Sequence, residues 1–200
     1  MTAVVSLLLF VAGACLWTLG EYVMHRFGMH ELRGRGLASR EHLRHHADRD
    51  SILEKWPIAW SGIAAVGVFV LRPIGGWPLG LGWIAGYGVY DLLHWRAHRR
   101  APRNAYDRWL RKHHFHHHFH APMRNHGVTT PVWDLVFGTY ERPSVVRVPR
   151  RLTMVWLTDD EGACRPEYAA DYAVVGGRAL DDAQRREDRT RAFSNLAPVA

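Results

Sequence analysis

From Met1 to Gly20 no side chain carries a charge, and this run constrains the chain more than any other feature. The stretch AVVSLLLFVAGACLWTLG is long enough to cross a bilayer core, which takes roughly 20 residues. A cleaved signal peptide is the alternative, and VAGAC resembles a weak lipoprotein cleavage site. Against it, no Lys or Arg precedes the run, and Glu21 and His25 follow it without a break. A second apolar region extends from Trp56 to Tyr90 with Arg72 as its only charge. Arg72, Pro73, Gly75 and Gly76 read as a turn, so the two arms predict a transmembrane hairpin, a re-entrant pair or two buried helices of a bundle. The fold class that follows is an all-α, integral-membrane helical bundle of about three spans, or of one span plus a hairpin.

Lys and Arg number 26 against 19 Asp and Glu, a net charge of +7, which suits nucleic acid or an anionic membrane surface equally. Placement decides between them. Thirteen Lys and Arg fall in residues 31–55 and 91–118, the turn between holds only Arg72, and the N-terminus holds none. If the first helix runs inward and the hairpin returns inward, both basic stretches face the cytoplasm. No nucleic-acid partner is expected, because the basic residues flank apolar segments and form no recognised binding motif. Cys15 and Cys164 have neither ligand-like nor disulfide-rich spacing. After Tyr140 the chain turns polar and Arg-rich, which divides it into a membrane-embedded part, residues 1–140, and a polar cytoplasmic extension, residues 141–200. Within the extension, VWLTDDEGACRPEYAADYAVV predicts two short strands around an Asp-Glu-Gly turn, and the residues from Asp181 onward read as solvated. Trp56, Trp77, Trp83 and Trp95 are expected near interfaces or along an acyl groove.

The chain has 14 histidines, all on the presumed cytoplasmic side, and they group. His25 and His30 follow the first apolar run. His42, His45 and His46 make H-x-x-H-H, and His94 and His98 make H-x-x-x-H. The stretch RKHHFHHHFHAP, too interior for a purification tag, holds a second H-x-x-H-H. Spacings of three and four put side chains on one helix face. His25 and His30, five apart, do not share an α-helical face, and a helix that ends or kinks at Gly28 would turn both rings toward one place. Ten imidazoles exceed what one metal ion uses, since zinc holds about four ligands and an octahedral ion about six. Two metal ions follow, of iron, zinc or copper. In HHFHHHF the spacing allows either His114, His117 and His118 or His113, His116 and His117.

The order of these boxes, with the pieces EYVMHRFGMH, YDLLHWRAH, HHFHHHF and NHGVTTPVWDLVFGTY, resembles the fatty acid hydroxylase and sterol desaturase superfamily of integral-membrane di-iron enzymes. The likeness runs from about Glu21 to Tyr140 and is nearest to the fatty acid 2-hydroxylases. It implies a cytoplasmic cap in which His25, His30, His42, His45, His46, His94, His98, His114, His117 and His118 hold two iron ions, with zinc possible after purification. The register comes from the superfamily's His-His-x-x-His-His-aromatic pattern, with Phe119 as the aromatic, and leaves His113, His116, His120 and His126 as non-ligands. It implies O2 as co-substrate and hydroxylation of a lipid acyl chain. Glu21, one turn before His25, and Asp91, three residues before His94, are candidates to orient imidazoles, or else are helix-end charges. Eukaryotic members often carry a fused cytochrome b5-type haem domain, for which there is no room before the first apolar segment. The expected electron source is therefore a separate donor, a ferredoxin or a cytochrome b5-like protein with its reductase. A desaturase, a sterol or carotenoid hydroxylase, and a non-enzymatic metal- or lipid-binding membrane protein are the alternatives.

Overall fold

Thr2 starts the first helix, its hydroxyl accepting the N–H of Val5. In the computed structural model, which describes residues 2–48 and 68–176, α1 (Ala3–Val23) continues directly into a π-helical segment, Met24–Glu31. The combined helix, Ala3–Glu31, is the one helix among the described residues that is long and apolar enough to cross a membrane. Its outward side chains include Leu7, Leu8 and Val11. A turn containing Arg33, Gly34 and Gly36, all at positive φ, leads into α2 (Leu37–Ala47). Ser39 pins that turn, accepting from Gly34 N–H at 2.8 Å and donating to the Met29 carbonyl at 2.6 Å.

Most of the first hairpin arm, including Trp56, lies outside the described residues. The second arm is α3 (Trp77–Arg99), with Pro78 in its first turn, where a missing N–H costs nothing. It runs parallel to α1: Gly13 lies against Leu79, Gly86 against Trp17, and the Trp17 and Tyr90 rings sit 5.9 Å apart. A Cβ on Gly13 would stand 2.0 Å from the Leu79 carbonyl oxygen, and one on Gly82 1.9 Å from that of Phe10. Glycine at these two positions is what lets the backbones touch. Because the helices run the same way, His25 and His30 emerge at the same end as His94 and His98.

Asn104 caps α4 (Ala105–Phe119), its side chain accepting from Asp107 N–H at 2.8 Å. Buried Arg111 then donates to the carbonyls of Arg96 and Arg100 at 2.9 and 2.8 Å and to that of Asp107 at 2.9 Å. Its cation thus satisfies the Arg100 carbonyl left open at the end of α3, adds a second bond to that of Arg96, and fixes α4 against the helix. The short α5 (Val132–Val136) lies beside α1, where Trp133 Nε1–H donates to the Thr18 hydroxyl at 2.9 Å and the Phe137 ring stacks on Tyr22.

The structure is mostly helical, but not wholly so. Strands β1 (Val146–Pro149) and β2 (Tyr172–Val175) pair in parallel, Val146 opposite Tyr172. The expected Asp-Glu-Gly turn is present, bridged by Thr158 and Cys164, whereas the strand after it pairs back to β1. Residues 141–176 do not trail in solvent. Val146, Val148, Leu152, Met154 and Leu157 are buried, Trp156 Nε1–H donates to the Ala97 carbonyl at 3.0 Å, and Lys112 pairs with Asp171 at 2.6 Å. The alternation of valines and leucine with arginines across VRVPRRLTM supplies an apolar face that the average polarity conceals. Asp181 and the residues after it lie outside the described part.

Candidate metal centre

In a π-helix the N–H of each residue bonds five back, which stacks residues five apart. His25 and His30 occupy such positions in the π segment, their ring centroids 5.2 Å apart. The expected break at Gly28 does not occur: the helix widens instead of ending, and this turns both rings the same way. The ten histidines then gather into two buried groups of five, with ligand atoms in each group within 4.8 Å of one another. The first holds His25, His30, His42, His46 and His117; the second holds His45, His94, His98, His114 and His118. Each H-x-x-H-H box divides between them. His42 and His46, one turn apart on α2, join the first group while His45 joins the second; on α4, His114 and His118 join the second while His117 joins the first.

The other face of α4 points elsewhere. His113 lies between the rings of Trp109 and Tyr140 with Nε2 3.4 Å from Asp134 Oδ2. His116 stacks on His120 and approaches Glu141 at 3.5 Å, and His120 Nε2 accepts the Arg147 N–H at 2.8 Å.

The donor chemistry of the groups fits a cation. His25 donates from Nδ1 to the His126 carbonyl, and His117 from Nδ1 to the Arg124 carbonyl at 2.7 Å. A neutral imidazole that donates from Nδ1 presents a bare lone pair at Nε2. Yet His25 Nε2 lies 3.0 Å from His42 Nε2, and His117 Nε2 lies 3.0 and 3.1 Å from those of His30 and His46. In the second group His45 meets His94 at 3.1 Å and His98 meets His114 at 3.0 Å, both Nε2 to Nε2. His118 Nε2 is buried there without a hydrogen-bond partner. Burial, reinforced by the neighbouring imidazoles, holds His42, His46, His114, His117 and His118 well below the ordinary histidine range. Neutral rings with converging lone pairs are what a metal ion requires, and without a cation they leave buried acceptors unsatisfied.

The fatty acid hydroxylase family model matches residues 10–139. The chain belongs to the fatty acid hydroxylase family. A dihydroceramide fatty acyl 2-hydroxylase of Arabidopsis thaliana is 31% identical over 138 residues, covering 64% of this chain and 58% of the relative. A fatty acid 2-hydroxylase of Homo sapiens is 32% identical over 146 residues, covering 66% and 39%. The chain thus spans about three-fifths of the plant relative and two-fifths of the human one. A solved structure of full-length scs7p, in which only the hydroxylase domain is visible, is similar with a TM-score of 0.57 and 28% identity, over 72% of this chain and 60% of that one.

In this member of the fatty acid hydroxylase family, the stretch NHGVTTPVWDLVFGTY forms a backbone strap beneath the first group. The Arg124 and His126 carbonyls that orient His117 and His25 are held from three sides. Asp134 accepts from the N–H groups of His126 and Gly127, both at 2.8 Å, and from the Thr139 hydroxyl at 2.7 Å. Glu21 accepts from the N–H groups of Val128 and Thr129 and from the Thr129 hydroxyl. Asn125 and the Glu141 backbone exchange bonds of 2.9 and 2.7 Å. Glu21 therefore reaches His25 through the strap and not through the ring. Burial works against the Asp134 carboxylate, but its donors, His113, His126, Thr139 and Gly127, hold it well below the usual range.

Asp91 makes no hydrogen bond to an imidazole among the described residues. It lines an apolar cavity with Trp17, Met24, Met29, Tyr87 and Tyr90, whose wall also includes Glu21, His25 and His42. Trp83 packs edge-on against Trp17, while Trp77 and Trp95 are exposed. Sequence reasoning did not find Asp134, Asn125 or Arg111. The available signal was a motif rich in hydrogen-bonding residues that had no ligand to contribute.

Proposed function

We propose that this chain is a membrane-bound, O2-dependent di-iron hydroxylase that oxidises C2 of a lipid acyl chain with electrons from a separate donor. One observation carries the reading: histidines gather in two five-nitrogen groups, and two members of the first line an apolar cavity. In this reading His25, His30, His42, His46 and His117 hold one ion, and His45, His94, His98, His114 and His118 hold the other. Five donors exceed the roughly four that zinc keeps, which favours iron as the working metal, although zinc can occupy the same nitrogens. The names of the relatives above support an acyl lipid as substrate and C2 as the position.

When bound, the iron pair supplies oxygen activation and oxidation of an unactivated C–H bond. The chain's own residues do the rest. Trp17, Met24, Met29 and Tyr87 receive the acyl chain and keep water out. Glu21 and Asp134 hold the strap whose carbonyls fix the tautomers of His25 and His117. The parallel course of α1 and α3, with the Lys and Arg distribution, favours a cytoplasmic position for the histidine groups. A donor such as a ferredoxin, or a cytochrome b5-like protein with its reductase, reaches them from that side.

The test combines metal analysis of the chain in lipid nanodiscs with lipidomics of cells that express it. The expected result is two tightly held iron ions per chain and new 2-hydroxy acyl lipids. A new double bond, or an oxidised sterol or carotenoid, moves the chain to another branch of chemistry. Loose, variable metal without oxygen consumption makes it a metal-binding protein and overturns the reading.

A further inference from the structure

One turn of helix, α5, carries an apolar surface with no partner among the described residues. Val132, Leu135 and Val136 are 49, 60 and 63% exposed, while Asp134 on the same helix is fully buried. A contiguous apolar patch of this kind marks an interaction surface. Its height relative to α1 identifies the partner. Trp133 bonds Thr18 and Phe137 stacks on Tyr22. Along an α-helix of about 1.5 Å per residue, those positions lie roughly 22 and 28 Å from Ala3, against a hydrocarbon core of about 30 Å. α5 thus stands beside the last turns of the apolar run. At about 100° per residue, exposed Val4, Leu7, Leu8 and Val11 share the face of α1 that carries Thr18 and Tyr22, so the side of the helix on which α5 lies is apolar along its length toward the N-terminus.

We propose that α5 is an interfacial anchor, with Val132, Leu135 and Val136 inserted among lipid acyl chains at the edge of the bilayer. The proposal rests on the membrane reading given above. A bilayer, and not a second copy of the chain, is the occupant because the patch continues the lipid-facing side of α1 and presents no outward charge. The inward side of α5 supplies Asp134, which holds His126 and Gly127, so lipid contact and the orientation of His25 depend on a single helical turn.

The unaltered chain is placed in nanodiscs whose phospholipids carry a photoactivatable diazirine midway along one acyl chain. After illumination, adducts are mapped by peptide mass spectrometry. Adducts are expected within residues 132–137 as well as on the outward side chains of α1. Labelling of α1 without α5 overturns the proposal and leaves the membrane reading standing; labelling of neither overturns both. A nitroxide at Leu135→Cys, in a Cys15→Ala and Cys164→Ala background, gives an independent measure. Relaxation by oxygen is expected to exceed relaxation by a water-soluble nickel chelate. The reverse ratio, or spin–spin broadening between copies, refutes the lipid contact.

Discussion

The rings of His46 and His118 lie parallel, 4.1 Å between centroids and 6° between planes, although each belongs to a different histidine group. The stack joins the two groups face to face. On the proposed ligand set, His118→Ala lowers metal content below two ions per chain and abolishes turnover, by more than the roughly 10–100-fold loss typical of an outer partner. His113→Ala, on the other face of α4, keeps both ions. Metal analysis on folded protein checks this; retention at His118→Ala with loss at His113→Ala reverses the register.

Arg111 is a structural keystone whose removal is felt away from any metal. Its guanidinium is buried, 3.9 Å from Asp107 and bonded to the carbonyls of Arg96, Arg100, Ala101 and Asp107. Arg111→Ala leaves the buried Asp107 with fewer partners and the end of α3 uncapped, and is expected to cost about 3–5 kcal/mol. Arg111→Lys does not rescue it, because an ammonium cannot span the same carbonyls. Denaturation of metal-free protein in detergent measures both; a wild-type midpoint for the alanine variant contradicts the assignment.

Asp134→Asn turns one acceptor of the strap into a donor that faces an N–H. A stability loss of roughly 1–3 kcal/mol is expected. The Asp134 carboxylate is depressed in the fold, so its contribution is fully present above the unfolded carboxylate value, near pH 4, and fades as pH falls toward its folded value. The gap between wild type and variant should therefore stay level from neutral pH to about 4 and narrow below it. A gap that widens with acid would show that the sign is wrong.

Gly82→Val places side-chain atoms where the Phe10 carbonyl now sits. Backbone cannot yield as a flexible side chain can, so α1 and α3 must separate, at a cost of at least about 1–3 kcal/mol. Because His25 and His94 leave from these two helices, metal stoichiometry should fall along with stability. Gly88→Ala is the control, since nothing lies within 4 Å of a Cβ there.

The histidine boxes were legible because their information is local: spacings of three and four declare a helix face without any tertiary knowledge. The strap was not, since His25 meets the His126 carbonyl across 101 positions of sequence and a carbonyl leaves no mark in a residue code. The packing of α1 on α3 was half visible. The glycines were there to be read, but only the structure pairs Gly13 with Leu79 and Gly82 with Phe10. Residues 141–176 were misleading for a compositional reason, as exposed Arg142, Arg147 and Arg150 are interspersed with the few valines and leucines that turn inward.

The π segment makes the first box equivalent to the third. A π-helical turn is what an α-helix becomes on absorbing one additional residue without changing the direction in which its flanks point. His25 and His30, with four residues between them, are thus the geometric counterpart of His94 and His98, with three. Excising one residue between His25 and His30 restores α-helical winding and keeps both rings on one side, so this spacing can change by one while the pair keeps its aim.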